Sequence, residues 1–196
     1  MALCYKASMK PDQAEQNLQV IRTLMERSTL YRRALGPIMF VTGLLGALAA
    51  LIGFYSRLSF VPYWIGVSII ILVVAFVLVR RQALTDREPV WSPPTKRVAQ
   101  ALLPALLSGA LLTYVCLGEG LQEPRLFVVG WMMLYGCALH AAGFFAPQGI
   151  RRLGWLFIVG AIACACISIP PNVTMGLSFG GFHLAYGIYL FATKKP

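Results

Sequence analysis

The chain has 196 residues, 58% of them hydrophobic and 12% charged, with 17 Lys and Arg against 7 Asp and Glu. A water-soluble domain carries about 25% charged residues, so this composition excludes an ordinary soluble globule and points to burial in lipid. The net charge of +10 does not signal nucleic acid, because the basic residues flank apolar runs in short clusters instead of forming one basic face.

Residues 1–33 are polar and contain no apolar stretch of the kind a signal peptide needs. Within them, residues 12–33 read as an amphipathic helix. Asp12 and Glu15 resemble a capping box. At about 100° per residue, Leu18, Ile21, Leu24, Met25, Ser28 and Tyr31 share one face, with Glu15, Gln19, Arg22, Glu26 and Arg33 opposite. The mixed charge predicts an interfacial anchor that feeds the first span, with partner docking as the alternative.

A helix crossing the hydrocarbon core needs about 20 mostly apolar residues. Spans are expected at Leu35 to Phe54, Val61 to Val79, Val98 to Leu117, Leu126 to Phe145, Leu153 to Ile169 and Val173 to Ala192. None contains Asp, Glu, Lys or Arg. The fold class is therefore all-α, a polytopic bundle of six transmembrane helices. Every Lys and Arg except Arg57 and Arg125 falls on one side of these spans, which by the positive-inside rule places both termini in the cytoplasm. Pro37 and Pro104 fall in the opening turns of their apolar runs, where a missing donor costs least. Pro170-Pro171 marks a tight turn between the last two spans.

Short external turns pair the spans as three antiparallel hairpins. Each pair opens on a basic dipeptide, Arg32-Arg33, Lys96-Arg97 or Arg151-Arg152. Both an internal repeat and the ordinary placement of cytoplasmic charge account for this. Gly176, Gly180 and Gly181 form a small-residue packing surface in the sixth span.

Two histidines, His140 and His183, lie inside spans, and an ionisable residue at membrane depth is a functional hypothesis by default. They could ligate one b-type haem, or each could hydrogen-bond a neighbouring helix. Cys137 lies one turn from Met133 on the same helix side, a thin soft-metal pair. Cys164 and Cys166 point to different faces, and the odd cysteine count, with Cys4 outside the spans, gives no disulfide framework. Glu119 and Glu123 flank an external turn, either gathering cations or simply solvated. A polar pathway would draw on Thr42, Ser108, Thr113 and Ser178, with Ser68, Ser168 and Thr174 beside them. Six spans with a histidine in the last are a layout shared with rhomboid proteases, but their GxSG is absent. The motifs of aquaporins and mitochondrial carriers, phosphate loops, HExxH and triads are absent too. No catalytic residue, metal or cofactor is expected, with haem b the alternative.

The stretch NLQVIRTLMERSTLYRRALGP, followed by a glycine- and alanine-rich span, resembles the opening of small uncharacterised bacterial inner-membrane proteins. The segment WMMLYGCALHAAGFFAP with the following RRLGW is similar to their later spans. That resemblance implies an inner-membrane location and carries no activity. The expected function is a non-catalytic accessory, scaffold or regulatory subunit, in contact with the lipid bilayer and with other membrane subunits or further copies of itself. A small-solute channel or transporter is the alternative, and a haem-binding redox protein a weaker one.

Overall fold

The computed structural model describes residues 35–87, 89–118 and 123–193. The amphipathic segment 12–33, Cys4, Glu119, Lys194 and Lys195 lie outside them. Within them the chain is all-helical, without strands: α1 (Leu35–Tyr55), α2 (Phe60–Thr85), α3 (Pro93–Gly118), α4 (Pro124–Ala142), α5 (Gln148–Cys166) and α6 (Pro171–Ala192). All six contain an apolar stretch long enough to cross a membrane, the hallmark of a multi-pass membrane protein.

The helices overrun the apolar stretches that announce them, because hydropathy marks where lipid ends and not where the hydrogen-bond ladder ends. α2 continues past Val79 through Arg80 and Arg81 to Thr85, since arginine is a good helix former. α3 starts at Pro93, where a proline at the first position forfeits only an orphan donor. Its first turn is tied by Lys96 N–H to the Ser92 carbonyl at 3.0 Å and by the Ser92–Thr95 hydroxyl pair at 2.9 Å. Pro104 consequently sits in the helix interior and not in an opening turn, leaving the Gln100 carbonyl without its usual donor. α5 begins at Gln148, ahead of the expected Leu153, and ends at Cys166. Ile167 is already extended, with ψ 135°, and the bias that Pro170 imposes on its predecessor keeps the chain extended into the turn.

In lipid, helices associate through close packing, because the surrounding tails are as apolar as the side chains. Two seams show this most clearly. Along the first, α6 lies antiparallel on α1, with Gly176 against Ala50, Gly180 against Ala47, Gly43 against Leu184 and Gly187 against Phe40. A Cβ added at Gly43 would stand 2.5 Å from the Leu184 nitrogen, and one at Gly180 would stand 2.7 Å from the Ala47 nitrogen. Along the second, Gly136 and Gly154 bring α4 and α5 together, a Cβ on Gly154 falling 2.6 Å from the His140 nitrogen. Both seams join helices that belong to different expected hairpins. α3 and α4 pack less closely, with Gly109 under the Trp131 indole.

Residues Gly176–Phe182 of α6 form a π-helical segment. An ordinary α-helix advances about 400° over four residues, so Gly180 would drift about 40° from Gly176. A drift of that size stays on one face, and both glycines meet α1, Gly176 at Ala50 and Gly180 at Ala47. Gly181, by contrast, meets nothing nearer than the Gly176 carbonyl at 3.8 Å.

The main core gathers Trp64, Val128, Met132, Leu139, Leu153, Phe157, Ala161 and Met175, while Val61, Cys116 and Phe127 join α2, α3 and α4 in a smaller cluster. α2 and α3 stay peripheral: only 11% of each apolar window is buried. Replacing Gly43 with Leu should lower stability by roughly 1–3 kcal/mol or more. Gly66→Ala, where a Cβ meets nothing within 4 Å, should be neutral or stabilising because alanine favours helix. Melting temperatures of the two variants in one detergent check the contrast.

Candidate functional site

Two side-chain constellations hold polar groups inside the apolar bundle. The first surrounds His183, which follows the π segment directly and is 5% exposed. Its Nε2 lies 2.9 Å from the Tyr135 hydroxyl of α4. The ring is boxed by Phe179, nearly parallel at 6.5 Å and 16°, by Phe157 at 5.5 Å, and by Tyr135 itself at 5.6 Å. Nδ1 has no hydrogen-bond partner, although the Phe179 carbonyl one turn back lies beside the ring. The pair links α6 to α4 at the centre of the core, where a buried polar atom without a partner is costly.

The second constellation ties α1, α2 and α6 together at the end where α1 terminates. Asn172 donates from Nδ2 to the Gly53 carbonyl at 2.8 Å and accepts the Trp64 indole N–H on Oδ1 at 2.9 Å. The Tyr63 hydroxyl donates to the Ala49 carbonyl at 2.6 Å. Gly53 lies in the last turn of α1, where carbonyls lack an intrahelical donor, so Asn172 acts as a cap supplied by another helix. Arg125 does the same for α5, its guanidinium donating to the carbonyls of Ala165 at 2.7 Å and Cys164 at 3.3 Å. A cation at a helix C-terminus also opposes the negative end of the dipole.

His140 is in a separate place. It lies between Phe144 at 5.5 Å and Trp155 at 5.3 Å, both edge-on, and its Nδ1 is likewise buried without a partner. The two histidines share no ring partner. A haem iron would need the Nε2 atom that Tyr135 holds, and the aromatic box leaves no slab for a macrocycle beside it; the residues around His183 do not fit that group. Cys137 is exposed, whereas Met133 packs against the main core. Among the described residues, no three His, Cys, Asp or Glu come together as a metal-binding group.

The hydroxyls expected along a pathway are turned onto their own helices. Thr42 donates to the Ile38 carbonyl at 2.8 Å, Ser108 to Pro104 at 3.0 Å, Thr113 to Gly109 at 2.9 Å and Ser178 to Thr174 at 2.7 Å. Thr113 also accepts the Trp131 indole N–H at 3.0 Å. Ser178 and Thr42 are buried while Ser68, Ser108 and Ser168 are exposed, so the group does not converge. A cavity of about 210 Å³ opens elsewhere, between α1 and α2, lined by Pro37, Ile38, Leu78, Arg81, Gln82 and Thr85.

Tyr135, Asn172 and Arg125 are the residues sequence reasoning passed over. Asn172 carried a signal, as the one amide beside a Pro-Pro turn at the head of an apolar run. Tyr135 carried none, being one aromatic among many. No protein-family model matches the chain, nor does any curated protein or solved structure.

A double-mutant cycle with Tyr135→Phe and His183→Phe should give a coupling energy of about 0.6–1.7 kcal/mol, the range for hydrogen bonds between membrane helices. His140→Phe, which removes a buried unpaired nitrogen, should leave the unfolding midpoint unchanged or raised. Asn172→Ala should lower stability by about 1 kcal/mol, because it strands the Trp64 N–H and leaves the Gly53 carbonyl only the longer Ser56 hydroxyl bond of 3.4 Å. Unfolding curves of the purified variants in one detergent measure all three.

Proposed function

We propose that this chain is a non-catalytic subunit or scaffold of a complex in the bacterial inner membrane. The observation that carries the reading is that the four hydroxyls expected along a pathway are bonded back to their own helices. Thr42, Ser108, Thr113 and Ser178 each donate to a carbonyl of the same helix, so none keeps its hydroxyl proton for a passing solute. The recognition capacity is apolar and peripheral. Exposed Ile69, Leu72, Val73 and Phe76 on α2, with Leu103, Leu107 and Leu111 on α3, offer broad faces to other membrane helices or further copies of the chain.

In this reading the spans form three antiparallel hairpins with both termini in the cytoplasm, and the amphipathic segment 12–33 supplies a further contact at the interface. Photo-crosslinking side chains placed at Leu72 and Leu107 in cells should give discrete protein adducts, while one at buried Ser178 should give none. Lipid adducts alone at Leu72 and Leu107, together with solute flux through proteoliposomes of the purified chain, would overturn the proposal in favour of transport. For topology, a reporter active only outside the cytoplasm should be silent after Pro196 and active after Leu58.

A further inference from the structure

We propose that the cleft between α1 and α2 at the basic end of the bundle binds one anionic phospholipid, with its phosphate on Arg81. The two helices are clamped at their opposite end by the Tyr63–Ala49 hydrogen bond of 2.6 Å. Towards the end bearing Arg80 and Arg81 a cavity of about 210 Å³ lies between them. Pro37 and Ile38 line it from α1; from α2 come Leu78, then Arg81, Gln82 and Thr85 towards the helix end. A site with an aliphatic wall and a cationic mouth, set at the rim of a membrane-spanning helix pair, matches a lipid headgroup with the first carbons of its chains.

The donors at the mouth are not equivalent. Gln82 spends its amide N–H on the Asp86 carboxylate at 2.8 Å, and the Thr85 hydroxyl donates to the Arg81 carbonyl at 3.0 Å. Among the described residues no carboxylate pairs with the Arg81 guanidinium, whose fork of donors suits a phosphate bidentately. The cavity is smaller than the roughly 300–1,000 Å³ of a pocket that encloses a whole drug-sized ligand. It therefore holds the headgroup end, while the tails run out past exposed Val77 and Val73 into the bilayer. Basic clefts between membrane helices on the cytoplasmic side are where anionic headgroups are retained. The inference needs the chain to lie in a bilayer and does not depend on its having a protein partner.

The test is native mass spectrometry of the delipidated full chain in mild detergent, titrated with phosphatidylglycerol or phosphatidylcholine. One phosphatidylglycerol should bind ahead of any phosphatidylcholine. Arg81→Gln should weaken that first adduct by roughly fivefold, and Ile38→Trp, which fills the cleft, should remove it. Arg152→Gln, an exposed cation at the same end, should leave it unchanged. Equal retention of the two lipids would overturn the proposal. So would equal losses in Arg81→Gln and Arg152→Gln, or displacement of the lipid by inorganic phosphate alone, which would make this a free-anion site. Because Arg81 is exposed, its variant folds even if Ile38→Trp does not, and the comparison stands on it.

Discussion

Helices in a bilayer gain nothing by hiding apolar surface from one another, so the bundle depends on how closely two backbones can approach. The seam of Gly43, Ala47 and Ala50 on α1 against Gly176, Gly180 and Gly187 on α6 provides that approach. The stretch of α6 that supplies Gly176 and Gly180 is π-helical. With the glycines committed to α1, the aromatic residues of the same segment face the other way. Phe179, Phe182 and His183 turn onto Tyr135 and Phe157 and fill the centre of the molecule. The aromatic box is thus the reverse side of the glycine seam.

The same absence of water governs the polar groups. Serine and threonine hydroxyls donate to carbonyls one turn back on their own helices, which satisfies the proton without a second helix. The polar contacts that do link helices among the described residues are few and specific: Tyr135 to His183, Asn172 between Gly53 and Trp64, Tyr63 to the Ala49 carbonyl, Trp131 to Thr113, and Arg125 on the last carbonyls of α5. The Asn172 and Arg125 contacts answer one need, the orphan carbonyls at a helix C-terminus. Arg125 also shows that an arginine on the sparsely charged side can be structural, its charge absorbed by the end of a neighbouring helix.

Asymmetry of packing separates a tight half from a loose one. α1, α4, α5 and α6 meet through glycines and a shared aromatic core, whereas α2 and α3 keep most of their apolar surface outward. Loose packing next to a clamp is what creates the cleft between α1 and α2. One hydrogen bond fixes the helices at one end, and nothing comparable draws Leu78 and Arg81 onto Ile38 at the other. The faces available to lipid or protein are accordingly broadest on α2 and α3.

The number of helices and their membrane length were legible from apolar runs alone, since about 20 apolar residues in a row have one physical use. Their ends were less so: Pro104 looked tolerable as an early residue because the apolar run hid the polar first turn of α3 from Pro93 onward. Gly176 and Gly180 announced a packing face, but not that α1 would occupy it. The two histidines look alike in sequence, and the fold alone made them different, boxing one against Tyr135 and leaving the other between Phe144 and Trp155. The sequence by itself determined how many spans there are and how far they reach, because hydropathy is a property of consecutive residues. Which helices touch, which polar groups find partners and where a cleft opens were decided only in the tertiary structure, because each depends on residues far apart in the chain.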